Sequence, residues 1–170
     1  EFDSDGDGEL DSMHVDVTRP EQTESEGLKL PVIYESSPYY AGTAGLGKGI
    51  FWDVQHELGE PGKPRKHPNV TPIYSSSPGT GLSDGAPTVG GDNESLAPKA
   101  IIDWLNGRVK GYTERDGDKE VKAYWSTGKV GMTGTSYNGT IPLAAATTGV
   151  EGLEAIIPIA PNTSYYHYYR

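Results

Sequence analysis

Apolar residues fall into short clusters along this chain, separated by long polar and glycine-rich stretches. Over residues 13–19, Met13, Val15 and Val17 alternate with polar neighbours, the period of a strand with one buried face. Residues 20–27 read as a polar loop. Residues 28–36 contain the run Leu-Pro-Val-Ile-Tyr, which predicts a buried strand. No period is sustained from there to residue 72, so residues 43–72 are expected to form a surface excursion or lid. Residues 73–75 predict a short strand, and residues 78–91 a glycine-rich loop. Leu96, Ala97, Ala100, Ile101, Trp104 and Leu105 recur at helical spacing, with Ser95 as N-cap, Pro98 in the first turn and an end near Gly107. A charged turn over residues 111–126 precedes a short strand at 129–133. Residues 137–148 are small and apolar, a close-packing helix that tolerates Pro142 near its first turn and closes at Gly149. Residues 153–159 predict another buried strand. The order is two strands, then strand, helix, strand, helix, strand, which predicts an α/β layered fold with a largely parallel sheet.

Composition narrows the function. The 170 residues include 23 glycines and 13 prolines and carry a net charge of −10. That length suits one domain, and the glycine and proline content implies much loop around a modest core. An acidic chain lacks the basic patches that nucleic-acid backbones or anionic membranes require, so neither is an expected partner. There is no cysteine, which excludes disulfides, thiolate nucleophiles and cysteine-held metals.

The chemistry concentrates at Gly134-Thr135-Ser136-Tyr137-Asn138-Gly139, between a predicted strand and a predicted helix. A serine hydroxyl becomes a useful nucleophile only when exposed and paired with a base. A sharp strand-to-helix turn lifts it above the sheet and aims the helix N-terminus at the reacting carbonyl. The usual spacing is Gly-x-Ser-x-Gly. Here the second glycine comes one place late and Asn138 takes its position, a residue type that tolerates unusual backbone conformations.

The stretch over residues 128–139, Gly-Lys-Val-Gly-Met-Thr-Gly-Thr-Ser-Tyr-Asn-Gly, resembles the nucleophile region of the Xaa-Pro dipeptidyl-peptidase and cocaine esterase family of α/β-hydrolase serine enzymes. Three further segments resemble that family in the same order: Ser37-Pro38-Tyr39, the glycine-rich loop over residues 79–85, and the aromatic segment Tyr165-Tyr166-His167-Tyr168-Tyr169-Arg170. The resemblance to bacterial Xaa-Pro peptidases extends to Glu57-Leu58-Gly59-Glu60-Pro61. It implies an α/β-hydrolase fold in which residues 1–170 form the N-terminal part of the catalytic domain, up to the strand after the elbow helix. It implies Ser136 as the acylated nucleophile, an oxyanion hole from the Tyr137 backbone N–H and the Tyr39 hydroxyl, and Tyr165 at the substrate pocket. The implied substrate is a peptide with proline at its second position, and the implied reaction releases Xaa-Pro dipeptides without a cofactor. The alternative within the same fold is an esterase or acylase acting on small esters or amides.

The family places its catalytic Asp and His well after the elbow, so the remainder of the same protein is expected to supply them. His14, His56 and His67 precede the elbow, against the Ser…Asp…His order, and His167 follows the last predicted strand closely. None of the four is assigned as the base. Pro78 also stands where many relatives carry Arg, and residues 67–75 look short for the strand expected there.

A second motif is Asp3-x-Asp5-x-Asp7-Gly8-x-x-Asp11, whose alternating carboxylates around a glycine turn suit a structural calcium ion. His14 stands where the bidentate Glu of an EF-hand would be, and a strand rather than a helix follows. The same residues could form only a solvated hairpin turn. A non-enzymatic, calcium-stabilised module is the third functional class that these features allow. The acidic composition, the absent cysteine and the candidate calcium turn lean towards a secreted bacterial protein, with a cytoplasmic location also compatible.

Overall fold

The structure, a computed structural model, describes residues 2–39, 59–60, 63–64, 69–115 and 117–169, with side chains at 59–60 and 63–64 excepted. The elements in chain order are β1 (Val15–Val17), α1 (Gln22–Ser25), β2 (Leu30–Ser37), the small hairpin β3 (Gly59–Glu60) and β4 (Lys63–Pro64), β5 (Thr71–Ser76) and α2 (Asp92–Leu105). There follow a second small hairpin of β6 (Gly111–Tyr112) and β7 (Glu120–Val121), then β8 (Ser126–Thr135), α3 (Tyr137–Thr147), β9 (Leu153–Ile159) and α4 (Tyr165–Tyr168).

Five strands make the main sheet in the order β1-β5-β2-β8-β9. β5, β2, β8 and β9 are mutually parallel, and β1 joins the β5 edge antiparallel. Parallel strands require crossovers: α2 lies on the connection from β5 past β2 to β8, and α3 on the connection from β8 to its neighbour β9. The two helices pack on each other and on β8. Val32, Tyr34, Ile73, Ile102, Val130, Met132, Ile141 and Ala145 form the centre of the core. Fully burying side chains of this size contributes roughly 1.5–3 kcal/mol each, an upper bound because the unfolded chain already hides some apolar surface. No helix among the described residues is long and apolar enough to cross a membrane.

The predicted alternation of strands and helices is present, with local corrections. The polar loop over residues 20–27 contains the one-turn helix α1, too short to leave a period in the sequence. The excursion predicted to run to residue 72 ends sooner, because Thr71 and Pro72 already pair in β5; most of its remaining length lies outside the described residues. Helix α2 begins at Asp92 with Gly91 as N-cap, so Ser95 lies inside the helix and Pro98 is its seventh residue. Among the described residues β9 pairs with β8 alone, so the strand expected to be buried leaves Ile157 61% and Ile159 40% exposed.

β5 is buried along its whole length although half of it is polar. Part of this polarity is paired, while the Thr71 and Ser76 hydroxyls are buried without a partner among the described residues. Tyr34 and Ser75 share a 2.6 Å hydrogen bond, Ser75 donates to Ser36 at 3.0 Å, and Ser83 donates to the Ser76 carbonyl at 2.8 Å. Buried polar groups are tolerable when paired in this way.

Candidate active site

β8, the penultimate strand of the sheet, ends at Thr135, and α3 begins at Tyr137. Ser136 alone makes the turn between them, at φ 62° and ψ −118°. A non-glycine residue held there costs about 1–3 kcal/mol, which persists only where the surroundings enforce it. They do: the Ser136 N–H donates to the Ile159 carbonyl at 2.9 Å, and the Ser136 carbonyl accepts from the N–H groups of Gly139 and Thr140, each at 3.0 Å. The Ser136 side chain is exposed.

The late glycine has a steric cause. A Cβ at Gly139 would sit 2.6 Å from the Ile159 carbonyl oxygen and 2.7 Å from that of Gly134. The helix therefore touches two strand ends at residue 139, and no side chain fits. Asn138, in the position usually held by glycine, has ordinary helical placement; the unusual backbone belongs to Ser136. Asn138 is fully buried and its side-chain amide donates to the carboxylate of Glu35, on β2, at 3.0 Å. This bond ties the elbow helix to the strand that leads into Pro38 and Tyr39. Backbone tolerance was the only reason the sequence offered for Asn138; the structure supplies a buried hydrogen bond instead.

Ser136, Tyr39, Tyr137 and Tyr165 all line one cavity of about 550 Å³, together with Thr140, Ala160, His167 and Tyr168. The topology explains the convergence. β2 and β8 are parallel neighbours, so the loop holding Tyr39 and the turn holding Ser136 leave the sheet at the same end. β9 runs parallel on the other side and delivers Ala160, itself at φ 45°, and the segment carrying α4. The Tyr39 and Tyr137 rings meet edge to face, 6.0 Å between centroids at 73°. The Tyr137 N–H is the first of α3 and has no acceptor within the helix, which leaves it available to a developing oxyanion.

The tyrosine hydroxyls are held in their neutral, donating form. Burial raises the Tyr39 pKa, helped by Tyr168 and by the negative charge of Glu94. Burial raises Tyr137 further, together with its hydrogen bond to the Glu94 carboxylate. Tyr165 is raised by burial and by Glu94. Glu94, in the first turn of α2, is thus the charge common to all three, and nothing in the sequence pattern singled it out.

Of the histidines, His167 lines the cavity and His14 lies 3.9 Å from Asp16, away from it; His56 and His67 are outside the described residues. Of the acidic turn, Asp3, Asp5 and Asp11 bring carboxylate oxygens within 4.8 Å of one another, and Asp7 is not among them. The structure thus brings three of the four expected carboxylates together. Their oxygens already serve the turn itself: Asp3 accepts from the N–H groups of Gly6 and Gly8, and Asp11 from that of Ser4.

A largely parallel sheet with an exposed serine on a strained strand-to-helix turn, lining one cavity with Tyr39 and Tyr137, defines an α/β-hydrolase of the serine-nucleophile class. The chain belongs to the X-Pro dipeptidyl-peptidase (S15) family, whose profile it matches over residues 5–170. It is 62% identical to a protein of Rhodopirellula baltica and 50% identical to one of Bacillus anthracis, both carrying the provisional name Xaa-Pro dipeptidyl-peptidase. The whole chain aligns in both cases, but it spans only 31% and 30% of those relatives' lengths. A Xaa-Pro dipeptidyl-peptidase of Ligilactobacillus salivarius is 36% identical over the whole chain. Among solved structures, a CocE/NonD family hydrolase from Staphylococcus aureus superposes with a TM-score of 0.59 at 19% identity, covering 89% of this chain and 25% of that one. An α-amino acid ester hydrolase also gives 0.59, at 18% identity, covering 90% of this chain and 24% of that one. These likenesses support the α/β-hydrolase fold.

Proposed function

We propose that the full-length protein releases Xaa-Pro dipeptides from peptide N-termini through an acyl-enzyme on Ser136. The observation that carries this is the exposed Ser136 at φ 62°, facing a cavity shared with Tyr39 and Tyr137. Ser136 Oγ attacks the carbonyl carbon of the proline residue while its proton passes to a histidine base. The carbonyl oxygen becomes an oxyanion and accepts hydrogen bonds from the Tyr137 N–H and the Tyr39 hydroxyl. Collapse breaks the C–N bond, the departing amine takes the proton, and water then hydrolyses the ester. The histidine and its orienting aspartate come from the part of the protein that this chain does not include. The edge of β9, with its exposed Ile157 and Ile159, is where further strands would pair. Tyr165 offers a flat apolar wall suited to the proline ring.

The experiment is hydrolysis of Ala-Pro-p-nitroanilide beside p-nitrophenyl acetate. Anilide cleavage supports the peptidase. Ester turnover with no anilide cleavage keeps the nucleophile and moves the protein to the esterase or acylase reading.

The reaction calls on no cofactor, and a calcium ion at the acidic turn would be structural. Only the approach of Asp3, Asp5 and Asp11 favours it. Calorimetric titration with calcium tests it, and a flat trace removes it.

A further inference from the structure

We infer that Glu94 is a positioning residue that holds the oxyanion hole in shape, acting from α2 through the side chain of Tyr137. This rests on the oxyanion roles proposed above for Tyr137 and Tyr39.

Glu94 is the third residue of α2 and is only 6% exposed. A glutamate at that position commonly reaches back to cap its own helix. One carboxylate oxygen here reaches one residue beyond the Gly91 N-cap and accepts from the Gly90 N–H at 2.6 Å. That bond leaves the second oxygen unexplained. That oxygen crosses to the other helix and accepts the hydroxyl of Tyr137, which also lies 3.2 Å from the Thr88 carbonyl. A hydrogen bond to a buried carboxylate is stronger than one between neutral groups. It fixes the phenol end of the residue whose N–H addresses the oxyanion.

The consequence spreads to the other groups in the cavity. The Tyr137 ring supports Tyr39 through the edge-to-face contact, so the phenolic donor depends on the same anchor. The Glu94 bond to Gly90 also sets the seat of Tyr165: a Cβ at Gly90 would lie 2.7 Å from the Tyr165 ring. One carboxylate therefore fixes Tyr137 directly, Tyr39 through ring contact and Tyr165 through the loop. Each of its oxygens accepts one hydrogen bond, and the split between kcat and KM separates this role from capture of a substrate ammonium group.

The test uses the full-length protein with Glu94→Gln, Tyr137→Phe and the double variant. Steady-state kinetics are measured with p-nitrophenyl acetate and with Ala-Pro-p-nitroanilide. Tyr137→Phe keeps the ring and the backbone N–H, and so breaks the same bond from its other end even if Glu94→Gln folds poorly. Each single variant is expected to lower kcat on both substrates on the order of tenfold, less than the 10²–10³ lost with an entire oxyanion donor. KM stays within about twofold, as for an interaction made in the transition state. The double variant loses no more than the worse single one, because the two residues share one bond. Additive losses, an unchanged kcat in Tyr137→Phe, or a defect confined to KM for the free-amine anilide would overturn the inference. Failure of the peptidase reading looks different: wild-type protein cleaves the ester and not the anilide, and the Glu94 comparison is then read on the ester. Turnover of neither substrate by wild-type protein overturns the nucleophile reading and this inference with it.

Discussion

Replacing Gly139 with alanine sets two known effects against each other, and the structure decides the sign. In a free helix, Gly→Ala stabilises by roughly 1 kcal/mol. At position 139 the new methyl would lie 2.6 and 2.7 Å from the carbonyl oxygens of Ile159 and Gly134, and 3.1 Å from the Ile159 nitrogen. All three atoms are backbone, held in β8 and β9, and cannot rotate away. Relief requires α3 to retreat by about half an ångström, and overpacking of this kind costs typically 1–3 kcal/mol. The balance is a net loss of up to about 2 kcal/mol, or a Tm lower by about 2–4 °C per kcal/mol for a domain of 150–250 residues. The same retreat moves Ser136, whose carbonyl is bonded to the Gly139 N–H. A misplacement approaching 1 Å lowers the rate by up to about 10². The assay pairs thermal unfolding with the rate of labelling by a fluorophosphonate. A variant that is more stable than wild type, or that labels at the wild-type rate, would show that helix and strands are not in contact at this glycine.

Two further predictions concern the tyrosines. Tyr39→Phe removes one oxyanion donor and is expected to lower kcat by about 10²–10³ with little change in KM, measured by steady-state kinetics. Burial and neighbouring negative charge raise the Tyr39 pKa, so its hydroxyl ionises at a higher pH than an ordinary tyrosine. The ratio of wild-type to Tyr39→Phe activity should therefore begin to fall only above the ordinary tyrosine pKa of about 10, and a ratio already halved at or below pH 10 would contradict this.

Much of this architecture was legible because apolar periodicity and chain order agreed. The runs at residues 28–36 and 153–159 are strands, and the small apolar stretch from residue 137 is a helix. The errors arose where tertiary contacts outweighed local preference. β8 reaches ten residues, against the five expected, because parallel partners on both sides override the weak strand preference of its glycines. β5 looked short because Thr71, Ser75 and Ser76 carry no apolar signal, yet parallel pairing with β2 and antiparallel pairing with β1 bury all three, and of these only the Ser75 hydroxyl is paired with other hydroxyls among the described residues. Helix α2 starts early because the backbone of Gly91 takes the N-cap position assigned to Ser95, with no side-chain cap. At the site, Ser136, Tyr39, Tyr137 and Tyr165 were nameable from motifs in sequence. Glu94 and the Glu35–Asn138 pair were not. They act across 43 and 103 positions of chain, and no local spacing encodes such pairs.

The central claim is that Ser136 is the residue acylated. Its most direct test is to treat the full-length protein and its Ser136→Ala variant with a fluorophosphonate, then locate the adduct by peptide mass spectrometry. The account predicts one adduct on the peptide containing Gly134-Thr135-Ser136-Tyr137, together with complete loss of hydrolysis, and neither labelling nor turnover in the variant. An adduct on another serine, or full activity in Ser136→Ala, would contradict it.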